Sequence, residues 1–127
     1  MAIDITINFV ATVAGGPSLG RSFTLEVDAY DLVAVSIAVG ATDEAVELQP
    51  GGAGQVQFLL VLADSYDPAL SYRVNSAADP SHDLDRELLL AGDGALGLLG
   101  APPNQVLFTN ATPQAISVQV LVGRNAT

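Results

Sequence analysis

The stretch IDITINFVATV, from Ile3 to Val13, decides the fold class of this chain. Apolar side chains occur at every second position and mostly polar ones lie between them, with Val10 as the exception. This period of two predicts a long β-strand with one buried face. The predicted buried face consists of Ile3, Ile5, Ile7, Phe9, Ala11 and Val13.

Shorter alternating stretches follow along the rest of the chain. GGPSLG, residues 15–20, predicts a turn, so the first strand and SFTLEVD after it predict an antiparallel hairpin. QVLFTN and AISVQVLVG, separated by ATPQ, predict a terminal hairpin whose second strand faces inward with Ile116, Val118, Val120 and Val122. No window of ten residues carries a convincing helical period, and Asp28 to Val35 is the nearest short helical candidate. The pattern predicts one all-β domain over residues 1–127, an antiparallel, jelly-roll-like β-sandwich of about eight or nine short strands.

Composition excludes several classes of partner and chemistry. The chain has 127 residues, a net charge of −10 and no cysteine, so disulfides and thiolate chemistry are excluded. A chain with this negative charge is not expected to bind nucleic acid or an anionic membrane surface, because proteins bind both through clustered Lys and Arg side chains. The opening MAIDITINF lacks the basic and apolar regions of a secretory signal peptide. We therefore expect a location that does not require signal-peptide secretion.

The acidic segment DPSHDLDRE, from Asp79 to Glu87, contains the only histidine of the chain, His82. Carboxylates at nearby positions suit calcium, but the segment lacks the glycine and the glutamate spacing of an EF-hand loop. We interpret it as a solvated loop or an edge strand, where charges prevent unwanted strand pairing. A calcium site is kept as the alternative, with Asp79, Asp83, Asp85 and Glu87 as its ligands.

Signals for catalysis are weak. GGPSLGRS has the glycine spacing of a phosphate-binding loop, but Arg21 replaces the lysine and a strand pattern follows where a helix is required. GPSLG, residues 16–20, has the spacing G-x-S-x-G of a nucleophilic serine, but it lies in the predicted hairpin turn and is followed by a strand pattern where a nucleophile elbow requires a helix. The chain has no tryptophan, and Tyr30, Tyr66 and Tyr72 are the only aromatic side chains near loops that could serve a carbohydrate site. We predict no enzymatic activity and no cofactor.

Apolar residues are more numerous than one inward face per strand requires, which indicates an interface. The segment from Leu88 to Pro103 is the predicted intersubunit arm, with a long, partly buried crossover loop as the alternative. Its predicted contact residues are Leu88, Leu90, Leu96, Leu98, Leu99, Pro102 and Pro103.

In size, all-β pattern and apolar surplus the chain is similar in general character to structural proteins of phages and virus-like particles. That resemblance of type implies a capsid decoration or cement protein, or a small tail or baseplate component. We expect a non-enzymatic, homo-oligomeric assembly protein whose partners are copies of itself or a capsid or tail protein. Its expected location is the virion or the cytoplasm. The alternative is a small module that binds calcium or carbohydrate.

Overall fold

The computed structural model describes residues 2–48, 56–100 and 103–125, and ten strands lie within them. The strands are β1 (Ile3–Thr12), β2 (Ser18–Val27), β3 (Ala29–Ile37), β4 (Glu44–Glu47), β5 (Val56–Ala63), β6 (Leu70–Val74), β7 (His82–Asp83), β8 (Leu88–Ala91), β9 (Gln105–Asn110) and β10 (Ile116–Arg124). One helical turn, α1 (Asp93–Leu96), continues into a 3-10 turn at Gly97–Leu99.

Two four-stranded antiparallel sheets form the body of the protein. Sheet I has the order β3-β10-β5-β8, and sheet II has the order β4-β9-β6-β7. Their inner faces enclose one apolar core, and the central strand β10 contributes Ile116, Val118, Val120 and Val122, each at most 2% exposed. The predicted all-β, sandwich-like single domain is confirmed.

The first hairpin forms a third, two-stranded sheet. β1 and β2 pair antiparallel without interruption from Ile3 opposite Val27 to Thr12 opposite Ser18. The hairpin predicted from the first alternating stretch is therefore correct. The prediction that this strand has one buried face is only half correct, because Ile7 is buried while Phe9, Ala11 and Val13 are exposed.

The base of this hairpin packs on the outer face of sheet I over Gly123. A Cβ atom at Gly123 would lie 2.7 Å from Ile5 Cδ1, 3.2 Å from Val27 Cγ1 and 3.3 Å from Phe58 Cβ. The hairpin can approach the sheet this closely because Gly123 has no side chain. Phe58 points outward from β5, and it is buried under the hairpin although it lies outside the main core.

The prediction of a terminal hairpin is wrong. β9 pairs with β4 and β6 in sheet II, whereas β10 pairs with β3 and β5 in sheet I, so the chain crosses from one sheet to the other between them. The fully buried Asn110 holds this crossing together: its Nδ2 donates to the carbonyl oxygens of Ile37 (3.0 Å) and Gln114 (2.9 Å). Its Oδ1 accepts from the N–H of Thr112 (3.0 Å) and from the Thr112 hydroxyl (2.6 Å).

The short helical candidate at residues 28–35 is also wrong, because residues 29–37 form β3. Every second side chain of β3 faces the core, where Val33 and Val35 pack against the buried cluster. Packing against the core, and not the weak helical pattern, therefore determines the conformation of this segment.

Candidate association surfaces

The outer half of the first hairpin, residues 8–22, is the longest run of exposed residues in the described part of the chain, and we call it the arm. Apolar side chains remain in water there: Phe9 is 48% exposed, Val10 70%, Val13 60% and Leu19 73%. A two-stranded ribbon with no packed face is marginally stable in water. The arm therefore has a sequence that suits burial, but the described residues of the chain do not bury it.

The two faces of the arm differ in chemistry. The strand register places Phe9 opposite Arg21 and Ala11 opposite Leu19 on one face, which continues the buried face of the hairpin base. The ring of Phe9 meets that of Phe23 edge to face, with centroids 6.4 Å apart. On the other face Thr12 and Ser18 are hydrogen-bonded (3.1 Å), and Ser22 donates to Asn8. The polar side chains of this second face are hydrogen-bonded to one another, and Val10 is the exposed large apolar side chain among them. The first face, with Phe9 and Leu19, is mainly apolar and uncovered.

The uncovered part of the outer face of sheet I is a second apolar surface. The register aligns four leucines, one from each strand, in a row across the sheet, and they are Leu32, Leu121, Leu60 and Leu89. Leu32 is 59% exposed and Leu89 is 42% exposed. Beside the row lies a shallow depression of about 670 Å³ whose floor includes Ala34 and Leu62 and whose rim includes Asp64 and Glu87.

The acidic segment lies at the edge of sheet II, where β7 is the last strand and His82 pairs with Tyr72. Leu84 anchors it, being 1% exposed in the core, and its N–H donates to the carbonyl oxygen of Leu70 (2.7 Å). Asp79 closes a local turn by accepting from the N–H and the hydroxyl of Ser76, each at 3.1 Å.

The other predicted calcium ligands, Asp83, Asp85 and Glu87, point into solvent. Over residues 2–48, 56–100 and 103–125, no three His, Cys, Asp or Glu side chains are grouped so that they could hold a metal ion. The geometry therefore offers calcium no assembled set of ligands in this part of the chain.

The three tyrosines do not form one platform. Tyr30 is exposed on sheet I, whereas Tyr66 and Tyr72 pack against the core, and the hydroxyl of Tyr66 accepts from the N–H of Ala63 (3.0 Å). Burial raises the pKa of the Tyr72 hydroxyl above its ordinary value. Its ring lies beside that of His82, with centroids 5.5 Å apart.

The predicted intersubunit segment 88–103 is largely folded onto the chain's own core. Leu88, Leu90 and Leu99 pack against the buried cluster, and Leu96 belongs to it. Leu98 is 81% exposed. Pro103 is buried, and Pro102 lies outside the described residues. The segment is not the crossover loop given as the alternative, because β8 is followed by α1 and the 3-10 turn. Its role in association stays a prediction.

Sequence reasoning missed the arm because alternation alone does not show where a strand extends beyond the body that covers it. The lack of acidic residues in 8–22 is not a specific signal, because residues 94–127, which include the core strands β9 and β10, also contain none. Within the described ranges no helix has the length and apolar character needed to cross a membrane. No protein-family model matches the chain, and a search of curated proteins finds no similar sequence.

Proposed function

We propose that this chain is a non-enzymatic assembly protein that associates with copies of itself through the arm. The exposed apolar side chains of Phe9, Val13 and Leu19 on one face of the hairpin carry the proposal. Exposed apolar patches on a folded protein usually mark interfaces. The arm is held in shape by unbroken strand pairing, so little conformational entropy is lost when it binds.

The size of the arm indicates a weak contact that must be repeated. Full burial of a Val, Leu or Phe side chain contributes about 1.5–3 kcal/mol, so the three partly exposed side chains of this face can contribute roughly 3–5 kcal/mol. Association costs an estimated 4–15 kcal/mol in lost freedom of motion. One arm contact alone therefore gives a weak complex, and several contacts formed together give a stable one.

A structural component of a phage virion fits this energetic pattern, because a virion repeats one contact many times. Within this proposal the chain decorates or cements a capsid, or forms part of a small tail or baseplate structure. The small size, the all-β sandwich and the projecting arm support that assignment.

Multi-angle light scattering over a concentration series tests the proposal. We expect the apparent mass of the wild-type protein to rise with concentration, and Leu19→Asp in the arm to lower this association markedly. Val39→Asp is the matched control, since Val39 is a 56% exposed apolar residue outside the arm and receives the same added charge. A wild-type protein that stays monomeric at millimolar concentration would refute self-association.

Leu98→Asp tests the predicted intersubunit segment 88–103 independently of the arm, because Leu98 is the most exposed leucine of that segment. If Leu98→Asp abolishes association while Leu19→Asp leaves it intact, the segment and not the arm is the contact surface. Melting temperatures of all three variants should match that of the wild type, because each changed side chain is exposed.

A further inference from the structure

The arm contains none of the fourteen acidic residues of the chain, a property that it shares with residues 94–127. Residues 8–22 contain Arg21 and no Asp or Glu, so the arm carries +1. The whole chain carries −10, and the remainder therefore carries −10 − (+1) = −11. The arm is a basic, apolar extension of a strongly acidic body. Arg21 of the arm is therefore attracted locally by a carboxylate on the body of another copy, while the two acidic bodies repel each other as a whole.

Arg21 makes this attraction more specific because it lies on the apolar face of the arm. The register places it opposite Phe9, in line with Leu19 and the hairpin base. Among the ion pairs of the described residues, none involves Arg21. A surface that covers this face removes Arg21 from water, and a buried charge is costly unless an opposite charge meets it. The covering surface must therefore be apolar and must present a carboxylate.

The outer face of sheet I has both properties. The row of four leucines supplies apolar area, and Asp64 and Glu87 supply carboxylates at the rim of the adjacent depression. Glu87 is exposed and takes part in none of the ion pairs found in the described residues. This is also the face on which the hairpin base of the same chain packs, at Gly123 and Phe58.

Dimensions agree with such a contact. The arm extends about eight residues beyond Ile7, or roughly 26 Å at the usual rise of a β-strand. Four strands spaced by about 4.8 Å make sheet I roughly 15–20 Å wide. The arm of one copy is therefore long enough to cross the leucine row of another and to reach the depression.

We propose that the arm of one copy docks on the outer face of sheet I of a second copy, with Phe9 and Leu19 against the leucine row and Arg21 beside Glu87 and Asp64. The inference rests on the proposed function, since it requires that the chain self-associates. It adds the receiving surface and the residues that recognise the arm.

Cross-linking between two cysteine variants tests the docking site, and the chain suits this test because it has no cysteine. Leu19→Cys protein is mixed with Ala34→Cys protein and treated with a short bismaleimide. Ala34 is exposed at the depression, and the matched control is Ala45→Cys, an exposed alanine of sheet II. We expect a mixed dimer of Leu19→Cys with Ala34→Cys that exceeds the Ala45→Cys product at least tenfold.

Equal yields with Ala34→Cys and Ala45→Cys, or cross-links only between two Leu19→Cys arms, would overturn the docking site. Light scattering on the wild type separates this failure from failure of the proposed function. Association without the expected cross-link rejects the receiving surface alone, whereas a strictly monomeric wild type rejects both proposals.

A charge exchange tests the ionic contact independently. Arg21→Glu and Glu87→Arg should each associate at least fivefold more weakly than the wild type when studied alone. A mixture of the two variants restores one matched contact, between the Arg21→Glu arm and the Glu87→Arg face, and should recover mixed dimers. Both substitutions are at exposed positions, so folding is unaffected. A mixture that associates no better than either variant alone would exclude the Arg21–Glu87 contact.

Discussion

Replacing Gly123 by alanine should loosen the packing of the hairpin base without unfolding the sandwich. The new Cβ would lie 2.7 Å from Ile5 Cδ1, closer than a normal carbon contact. Ile5 can turn its terminal methyl group away, at a rotamer cost of about 0.5–1.5 kcal/mol. The contacts to Val27 Cγ1 (3.2 Å) and Phe58 Cβ (3.3 Å) are less easily relieved, because one side chain is β-branched and the other atom is fixed to the backbone.

Two terms of opposite sign set the net effect. Overpacking of a tight site costs about 1–3 kcal/mol. Replacing glycine by alanine in a strand stabilises the folded state by about 0.5–1 kcal/mol, because alanine loses less conformational freedom on folding. We therefore expect Gly123→Ala to lower the free energy of unfolding by about 0.5–2 kcal/mol, or the melting temperature by roughly 2–8 °C.

Urea denaturation measures the total effect, and amide hydrogen exchange locates it. Faster exchange should be confined to the paired amides of the hairpin base, because β1 and β2 form a sheet of their own. Gly94→Ala is the matched control, since a Cβ there meets nothing within 4 Å. It should be neutral or slightly stabilising.

A double-mutant cycle with Ile5→Val makes the reasoning refutable. Ile5→Val removes Cδ1, the atom nearest to the added Cβ, so the double variant should recover about 0.5–1.5 kcal/mol relative to the sum of the single variants. If Gly123→Ala is as stable as the wild type and shows no coupling to Ile5→Val, the hairpin base does not pack over Gly123.

The remaining predictions concern the body of the protein. Asn110→Asp should cost about 3 kcal/mol or more in urea denaturation at pH 7, because the carbonyl oxygens of Ile37 and Gln114 lose their donor; a loss below 1 kcal/mol would contradict the network. The raised pKa of Tyr72 favours the protonated, folded state, so the stability it contributes is full below the ordinary tyrosine pKa of about 10 and is lost as pH rises through the folded value. Tyr72→Phe should therefore lose less stability than the wild type between pH 8 and pH 11, and equal losses would argue against the shift. EDTA and millimolar calcium should leave the melting temperature unchanged, whereas an increase of several degrees with calcium would support the alternative cation site.

Alternation and turn residues were sufficient to predict the fold class, the first hairpin and the inward face of β10. These signals are local, and each depends only on which side chains a single strand must bury. The same signals failed at residues 105–124, because a polar turn segment such as ATPQ suits a hairpin and a crossing between sheets equally well. The distinction depends on Asn110, whose hydrogen-bond partner Ile37 is distant in the sequence.

The association surfaces were harder to predict for a related reason. The leucine-rich segment 88–103 stood out by composition, yet Leu88, Leu90, Leu96 and Leu99 lie in or against the chain's own core. The outer half of the first strand was expected to be buried, yet Phe9 and Val13 are exposed. Hydrophobicity indicates that a side chain must be covered, but only the tertiary structure shows whether the same chain covers it.

The packing over Gly123 has a consequence for the shape of any assembly. Each copy has one arm and one receiving face at different places on its surface, so the contact is heterologous unless two copies exchange arms reciprocally. A heterologous contact turns each added copy by the same angle, and the assembly closes into a ring or grows into a filament according to that angle. The direction in which the hairpin leaves the sandwich helps to set the angle, and it depends on Ile5 and Val27 packing over a residue without a side chain. One added methyl group at Gly123 could thereby change the symmetry of a whole particle while each subunit kept its fold.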